Sequence, residues 1–125
     1  DLDHGPCVIK RMKGCGSGHE YLAVTPEGDL YPCHQFVGME RFKMGNVNES
    51  FDIDTSISNM FRKNNIYTNP ECRKCWARFF CSGGCAANAW QFNNSLDKPY
   101  DIGCELERKR VECALWIRAV ESGME

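Results

Sequence analysis

The chain has 125 residues, which fits one domain, and 42% of them are apolar, the level of an ordinary globular protein. Its formal net charge of −2 argues against nucleic acid or an anionic membrane as a partner. The sequence has no run long and apolar enough to span a bilayer and opens with no signal peptide, so we expect a cytoplasmic protein.

A β-hairpin is the first predicted element. Residues 1–19 show no periodicity and are expected to form a loop. Two short runs, residues 21–24 and 30–31, then flank the segment TPEGD, in which Pro26 and Gly28 are typical turn residues. Gly28 would supply the backbone freedom that lets the second strand run back beside the first.

A short amphipathic helix is the next predicted element, after a loop that contains one short strand. In the stretch DTSISNMFRKNN, Ile57, Met60 and Phe61 recur at helical spacing. Asp54 or Thr55 is expected to cap the start of this helix, because short polar side chains accept hydrogen bonds from its first free N–H groups.

The strongest predicted helix lies at the end of the chain, over residues 105–122, and Gly123 follows it as a stop signal. Its apolar side chains can share one face, formed by Leu106, Cys113, Ile117 and Val120. Cys113 is therefore expected to pack against the domain. Residues 85–92 predict one or two further helical turns, and residues 93–103 predict a loop.

These elements describe an α+β fold with little regular structure, and small folds of this kind usually need cross-links or metals. The chain has nine cysteines, and an odd number excludes complete disulfide pairing within it. Four of them are crowded into one stretch: Cys72, Cys75, Cys81 and Cys85. Four thiolates suit one zinc ion or one 4Fe–4S cluster. The residues alone leave open two iron–sulfur clusters, a structural two-zinc module that binds a protein or peptide, and a secreted disulfide domain.

The spacing of seven cysteines and one glycine carries a resemblance to a known family. The pattern is Cys15-x12-Gly28-x4-Cys33, then Cys72-x2-Cys75-x5-Cys81-x3-Cys85, then Cys104. It resembles the SPASM domain, the C-terminal extension of many radical S-adenosylmethionine (SAM) enzymes that modify peptides. The segments YLAVTPEGDLYPCHQFVG and ECRKCWARFFCSGGCAANA are most similar to the maturases of "six cysteines in forty-five" (SCIFF) peptides, which build Cys–Thr thioether crosslinks.

The resemblance implies two auxiliary 4Fe–4S clusters with interleaved ligands. The first cluster would be held by Cys7, Cys15, Cys33 and Cys85. The second cluster would be held by Cys72, Cys75, Cys81 and Cys104. Cys7 stands at the position of the fourth ligand of the first cluster, which some relatives leave open for a substrate thiol. The crossing would tie hairpin, cysteine-rich loops and final helix into a small metal-stapled fold wrapped around two metal clusters, so that cluster binding adds to folding stability.

The surroundings of the cysteines also suit clusters. Gly83 and Gly84 are expected to present backbone N–H groups to sulfur. Basic side chains in the dense stretch either offset cluster charge or form a solvated face: Arg73, Lys74 and Arg78. Aromatic side chains either shield the clusters from water or pack in an ordinary core: Trp76, Phe79, Phe80 and Trp90.

The SAM-cleaving motif Cys-x3-Cys-x2-Cys is missing. Cys81 and Cys85 have the first spacing, but Asn88 stands where the third cysteine belongs. We therefore expect residues 1–125 to be a single auxiliary-cluster domain of a longer enzyme, with no catalytic residue and no activity alone. SAM would be bound only by the absent radical SAM domain. That domain and a cysteine-rich substrate peptide are the expected partners. Zinc is the alternative metal, or a substitute for iron in aerobic preparations.

Overall fold

The computed structural model describes residues 12–50 and 52–123. In this part of the chain, three short strands, two 3₁₀ helices and five α-helices follow one another. The strands are β1 (Ala23–Val24), β2 (Asp29–Tyr31) and β3 (Gly45–Asn46). The 3₁₀ helices, His34–Phe36 and Glu40–Phe42, lie between β2 and β3. The α-helices are α1 (Thr55–Lys63), α2 (Pro70–Lys74), α3 (Arg78–Cys81), α4 (Ala86–Asn93) and α5 (Asp101–Glu121). The predicted α+β class is confirmed.

The sheet is antiparallel with the order β1-β2-β3. Val24 pairs with Leu30 across the first hairpin, and Leu30 pairs with Gly45 on the other side. β2 is therefore the central strand, and Pro32 and Cys33 follow directly from it. The predicted hairpin is confirmed. Cys33 lies two residues beyond the end of β2, the strand that is paired on both sides.

The hairpin turn depends on Gly28, as the sequence predicted. Its φ is +90°, a conformation that side chains with a Cβ rarely adopt, and its N–H donates to the Thr25 carbonyl at 2.9 Å. A Cβ at this position would lie 2.5 Å from Asn48 Nδ2, which itself donates to the Glu27 carbonyl. Gly28 therefore allows both the positive φ of the turn and the close approach of the Asn48 side chain.

Gly28→Ala should lower the free energy of unfolding by about 2–3 kcal/mol, because it adds a steric clash to left-handed backbone strain. Gly38→Ala is the matched control, since Gly38 has φ +86° and open space around its Cβ position. The control should lose only about 1–2 kcal/mol. Urea denaturation of both variants measures the difference in the free energy of unfolding. Equal losses would contradict a steric clash between the new Cβ and the Asn48 side chain.

Three phenylalanines form the centre of the core. Phe36 lies 4.6 Å from Phe42 and 5.2 Å from Phe61 between ring centroids, and Trp90 packs edge-on against Phe42 at 4.8 Å. The buried core comprises Leu30, Tyr31, Cys33, Phe36, Phe42, Met44, Ile57, Phe61, Ala87 and Leu96. Side chains from the sheet, the 3₁₀ helices, α1 and α4 thus meet around one aromatic cluster, and Cys33 is part of it.

Helix α1 confirms the predicted cap and most of the predicted face. Asp54 is the N-cap residue, and its carboxylate accepts from the Ser56 N–H at 2.9 Å. Ile57 and Phe61 are buried, whereas Met60 is 42% exposed. The helix therefore uses a narrower stripe than the spacing indicated.

Helix α5 begins four residues earlier than predicted, at Asp101, and takes in part of the predicted loop. The prediction of a buried apolar face was wrong. Leu106 is 64% exposed, Val120 is 54% exposed, and Cys113 is also exposed rather than packed. Val111 is the one buried residue of this helix among those described. Within the described residues, no helix has the length and apolar character needed to cross a membrane.

Candidate metal centres

The first group of thiols lies where the hairpin meets α4. Cys33 caps the 3₁₀ helix after β2, Cys15 lies in the loop before β1, and Cys85 is the N-cap residue of α4. Gln35 Nε2 lies 3.6 Å from the Cys85 sulfur. Burial raises the pKa of Cys33, and the charges of the Cys85 and Cys15 thiolates raise it further. The structure therefore brings these three predicted ligands together.

Hydrogen-bond donors already surround two of these sulfurs. Burial raises the pKa of Cys15, but hydrogen bonds from Ser17 and Tyr21 outweigh it, so the net pKa lies below the usual thiol value. The backbone N–H groups of Gln35 and Phe36 donate to the Cys33 sulfur and partly offset the rise in its pKa that burial causes. Donors of this kind stabilise thiolates and tune the clusters that thiolates bind.

The second group of thiols lines a larger pocket. A cavity of about 510 Å³ is lined by Cys72, Cys75, Cys81, Cys85 and Cys104 together with Gly83, Gly84 and residues of α5. Burial raises the pKa of Cys72 to about 11, and the thiolates of Cys104, Cys81 and Cys75 add to the effect. The four predicted ligands of the second cluster thus surround one space.

Short helices with well-defined cap residues position these thiols. Cys72 lies in α2, which begins at Pro70 behind the cap Asn69, and Cys75 ends it with an N–H to the Cys72 carbonyl at 3.0 Å. Cys81 is the last residue of α3. Three successive residues with positive φ then reverse the chain: Ser82, Gly83 and Gly84.

The glycine pair serves the sulfur as predicted. Burial raises the pKa of Cys81, and the backbone N–H groups of Gly83 and Gly84 act against it. Gly83 has φ +95° and Gly84 has φ +74°, so the chain can turn both N–H groups toward one sulfur. Cys85 lies four residues after Cys81 and lines the same pocket, and its charge also raises the pKa of Cys33 in the first group.

Asn69 is a positioning residue that the sequence analysis missed. Its side-chain oxygen accepts from the Glu71 and Cys72 N–H groups, and its Nδ2 donates to the Asp97 carbonyl at 2.6 Å. The residue is only 4% exposed. The signal was present in the dipeptide Asn-Pro, which marks an N-cap followed by a proline in the first turn. Asn69 therefore links α2 to the segment before α5.

Asn69→Ala should destabilise the protein by about 2–3 kcal/mol, because a helix cap and a buried donor are lost together. Asn69→Ser is the matched control, since serine can still cap α2 but is too short to reach Asp97. We expect an intermediate loss for the serine variant. Thermal denaturation in the same metal state tests this, and a wild-type midpoint for Asn69→Ala would contradict the assigned role.

The donor set fits an iron–sulfur centre. Within residues 12–50 and 52–123, no three His, Cys, Asp or Glu side chains are grouped closely enough to hold a single metal ion. The thiols instead surround a cavity, with N–H groups directed at sulfur, and 4Fe–4S clusters are held by four cysteine thiolates in such surroundings. A small cavity of about 30 Å³ is lined by cysteines of both groups, Cys15 and Cys85 from the first and Cys72 from the second.

Two other predicted features have different outcomes. Cys7, the predicted fourth ligand of the first group, lies outside the described residues. The predicted aromatic shield is incomplete, because Trp76 is 49% exposed and Phe80 is 44% exposed, while Trp90 packs in the core. The eight described cysteines are all free thiols.

A known protein family matches part of this chain. The model of the SPASM family, an iron–sulfur cluster-binding domain, matches the segment from Cys15 to Trp76. Residues 15–76 match the SPASM family. The SPASM match includes the hairpin and the first two cysteines of the dense stretch. Cys81, Cys85 and Cys104 lie beyond the SPASM match, and the structure places them beside cysteines that lie within it.

Three longer proteins are similar to this chain. An uncharacterized protein of Archaeoglobus fulgidus is 32% identical over 99 residues, which are 76% of this chain and 23% of that protein. A cysteine-type anaerobic sulfatase-maturating enzyme of Clostridium perfringens is 29% identical over 62% of this chain and 22% of its own length. A serine-type anaerobic sulfatase-maturating enzyme of Klebsiella aerogenes is 30% identical over 67% and 20%, respectively. The matched regions thus amount to 20–23% of the length of these relatives.

Proposed function

We propose that residues 1–125 form the auxiliary-cluster domain of a radical SAM enzyme that modifies a peptide, and that the domain binds two 4Fe–4S clusters. The carrying observation is the division of seven thiols into two groups. The pKa of Cys33 is raised by Cys15 and Cys85, whereas the pKa of Cys72 is raised by Cys75, Cys81 and Cys104. These electrostatic couplings support the interleaved ligand pattern that the family resemblance implies.

Within this proposal, the protein supplies geometry and electrostatics. Cys15, Cys33 and Cys85 would hold the first cluster, with Cys7 as fourth ligand or with one position open for a substrate thiol. The second cluster would be held by Cys72, Cys75, Cys81 and Cys104. When bound, the clusters would supply electron transfer, a binding position for a substrate thiol, or both. The backbone N–H groups near Cys33 and Cys81 stabilise the thiolates that both clusters require.

The proposed substrate is a cysteine-rich peptide in the cytoplasm, and the proposed product is a Cys–Thr thioether. The support is the similarity of the hairpin and cysteine-dense segments to SCIFF maturases. Formation of such a crosslink joins the peptide sulfur to a threonine carbon with loss of two hydrogen atoms. The radical SAM domain would take one hydrogen atom from the threonine carbon with a SAM-derived radical, the peptide thiol would lose a proton as the C–S bond forms, and the remaining electron would pass to an auxiliary cluster.

A second candidate is maturation of a sulfatase, because two of the similar proteins carry that description. Both candidates act on a side chain of a protein or peptide, and they differ in the product. A SCIFF-type peptide would gain an internal crosslink, whereas a sulfatase-derived peptide would be modified without one. Incubating the full-length enzyme with each peptide and mapping the products by tandem mass spectrometry separates the two.

The test of the proposed function uses the full-length enzyme with Cys33→Ala or Cys72→Ala. We expect SAM cleavage to continue in both variants and peptide modification to be lost, because the proposed auxiliary clusters lie outside the SAM-cleaving domain. Cys113→Ala is the matched control, since Cys113 is exposed on α5 and should leave both activities unchanged. Undiminished peptide modification in variants that lack a cluster would contradict the proposal.

A further inference from the structure

Arg78 has an unusual position in the wall of the larger pocket. It opens α3 and lines the same cavity as the second group of thiols. Its Nη1 donates to the Cys75 carbonyl at 3.0 Å, and its Cζ lies 4.7 Å from the centre of the Phe79 ring. Two contacts therefore fix the guanidinium beside a predicted ligand.

One donor of this side chain has no partner. Arg78 Nε is fully buried, and it is the one buried side-chain nitrogen or oxygen without a hydrogen bond among the described residues. A buried charged N–H without an acceptor is unfavourable, so such a group in a native protein usually has a partner that enters its site. Arg78 is one of the residues that line the thiol-lined pocket, so a partner can enter its site from that space.

The other cations of the pocket have different surroundings. Arg110 is paired with Glu107 at 2.8 Å, and its side chain is largely exposed. Arg108 lowers the pKa of Cys104, which places its charge at the α5 side of the pocket. Arg78 is the first residue of α3, the short helix that follows Cys75 and ends at Cys81. It is therefore the cation fixed within the cysteine-dense stretch itself.

We propose that Arg78 is a positioning residue for the second cluster, whose sulfur atoms accept the Arg78 Nε–H. This inference rests on the proposed function. The hydrogen bond to the Cys75 carbonyl and the Phe79 ring hold the guanidinium in the pocket wall, where its Nε–H would donate to the cluster. A positive charge and a hydrogen bond both favour the more negative, reduced form of a cluster. Arg78 therefore raises the one-electron reduction potential of this cluster and leaves the other unaffected.

The test is a redox titration of the reconstituted domain, followed by electron paramagnetic resonance and visible absorption. Arg78→Met removes the donor and the charge while keeping a side chain of similar length. Arg78→Gln removes the charge and keeps an N–H donor. Arg73→Met is the matched control, because Arg73 is exposed on α2 and does not line the pocket. Each titration should resolve two reduction steps.

We expect one step to move to a more negative potential in Arg78→Met, to move less in Arg78→Gln, and to stay in place in Arg73→Met. Two loaded clusters with unchanged potentials in Arg78→Met would overturn the assignment. If Arg78→Met does not load the second cluster, the titration of Arg78→Gln decides. A lower reduction potential in Arg78→Gln supports the assignment, and an unchanged potential overturns it. A failure to load the second cluster that Arg73→Met shares also overturns it. A parent domain without iron and sulfide contradicts the proposed function, and this inference falls with it.

Discussion

Cys72→Ala should remove about half of the iron and sulfide, leaving about four of each where the parent domain holds about eight. Cys72 is a predicted ligand of the second cluster only, and its sulfur lies in the pocket shared with Cys75, Cys81 and Cys104. Because metal binding adds to folding stability, the variant should also unfold at a lower temperature. Iron and acid-labile sulfide analysis after anaerobic reconstitution measures the loss, with Cys113→Ala as the control that keeps the full content.

Double substitutions make the interleaving testable. Cys72→Ala combined with Cys81→Ala should lose no more iron than either substitution alone, because both thiols hold the same cluster. Cys81→Ala combined with Cys85→Ala should lose nearly all of it, although these two cysteines are only four residues apart. Effects within one site are non-additive, and effects at separate sites add. Equal iron content in the two double variants would contradict the assignment of Cys81 and Cys85 to different clusters.

Phe36→Ala should lower the free energy of unfolding by about 3–5 kcal/mol. Phe36 is fully buried, and its ring contacts Phe42 and Phe61, so truncation leaves a cavity at the centre of the core. Its N–H also donates to the Cys33 carbonyl at 3.0 Å, which places the core next to the first group of thiols. Urea denaturation of parent and variant in the same metal state measures the change.

Phe92→Ala is the matched control for this truncation. Phe92 is 62% exposed and stacks on Tyr100 at 4.1 Å, so its loss should amount to about 1 kcal/mol. A Phe36 variant no less stable than the Phe92 variant would show that the aromatic cluster is not the main source of stability. That result would indicate that the proposed metal centres contribute more to the stability of the fold than the aromatic cluster does.

The local features that sequence predicts best are those set by a few neighbouring residues. Pro26 and Gly28 define the hairpin turn, and Asp54 caps α1, because each acts within three or four positions of its partners. Helices α2 and α3 were not predicted, since segments of five and four residues are too short to show a period. They form because the surrounding turns and caps hold them.

Features that depend on distant partners were harder to predict. The apolar residues of α5 suggested a buried face, but burial depends on what covers the helix, and the described elements cover little of it. The contact of Asn69 with Asp97 and the buried Nε of Arg78 join or adjoin segments that only the fold brings together. The cysteine groups were predicted through family resemblance, because spacing alone leaves the metal and the pairing open.

The most direct test of the central claim is the iron and acid-labile sulfide content of the chain after anaerobic reconstitution, with its visible spectrum. Two 4Fe–4S clusters predict about eight iron atoms and about eight sulfides per chain and a brown solution. Zinc at two sites, with no sulfide and no colour even after reconstitution, would contradict the cluster proposal and favour a structural module that binds a protein or peptide.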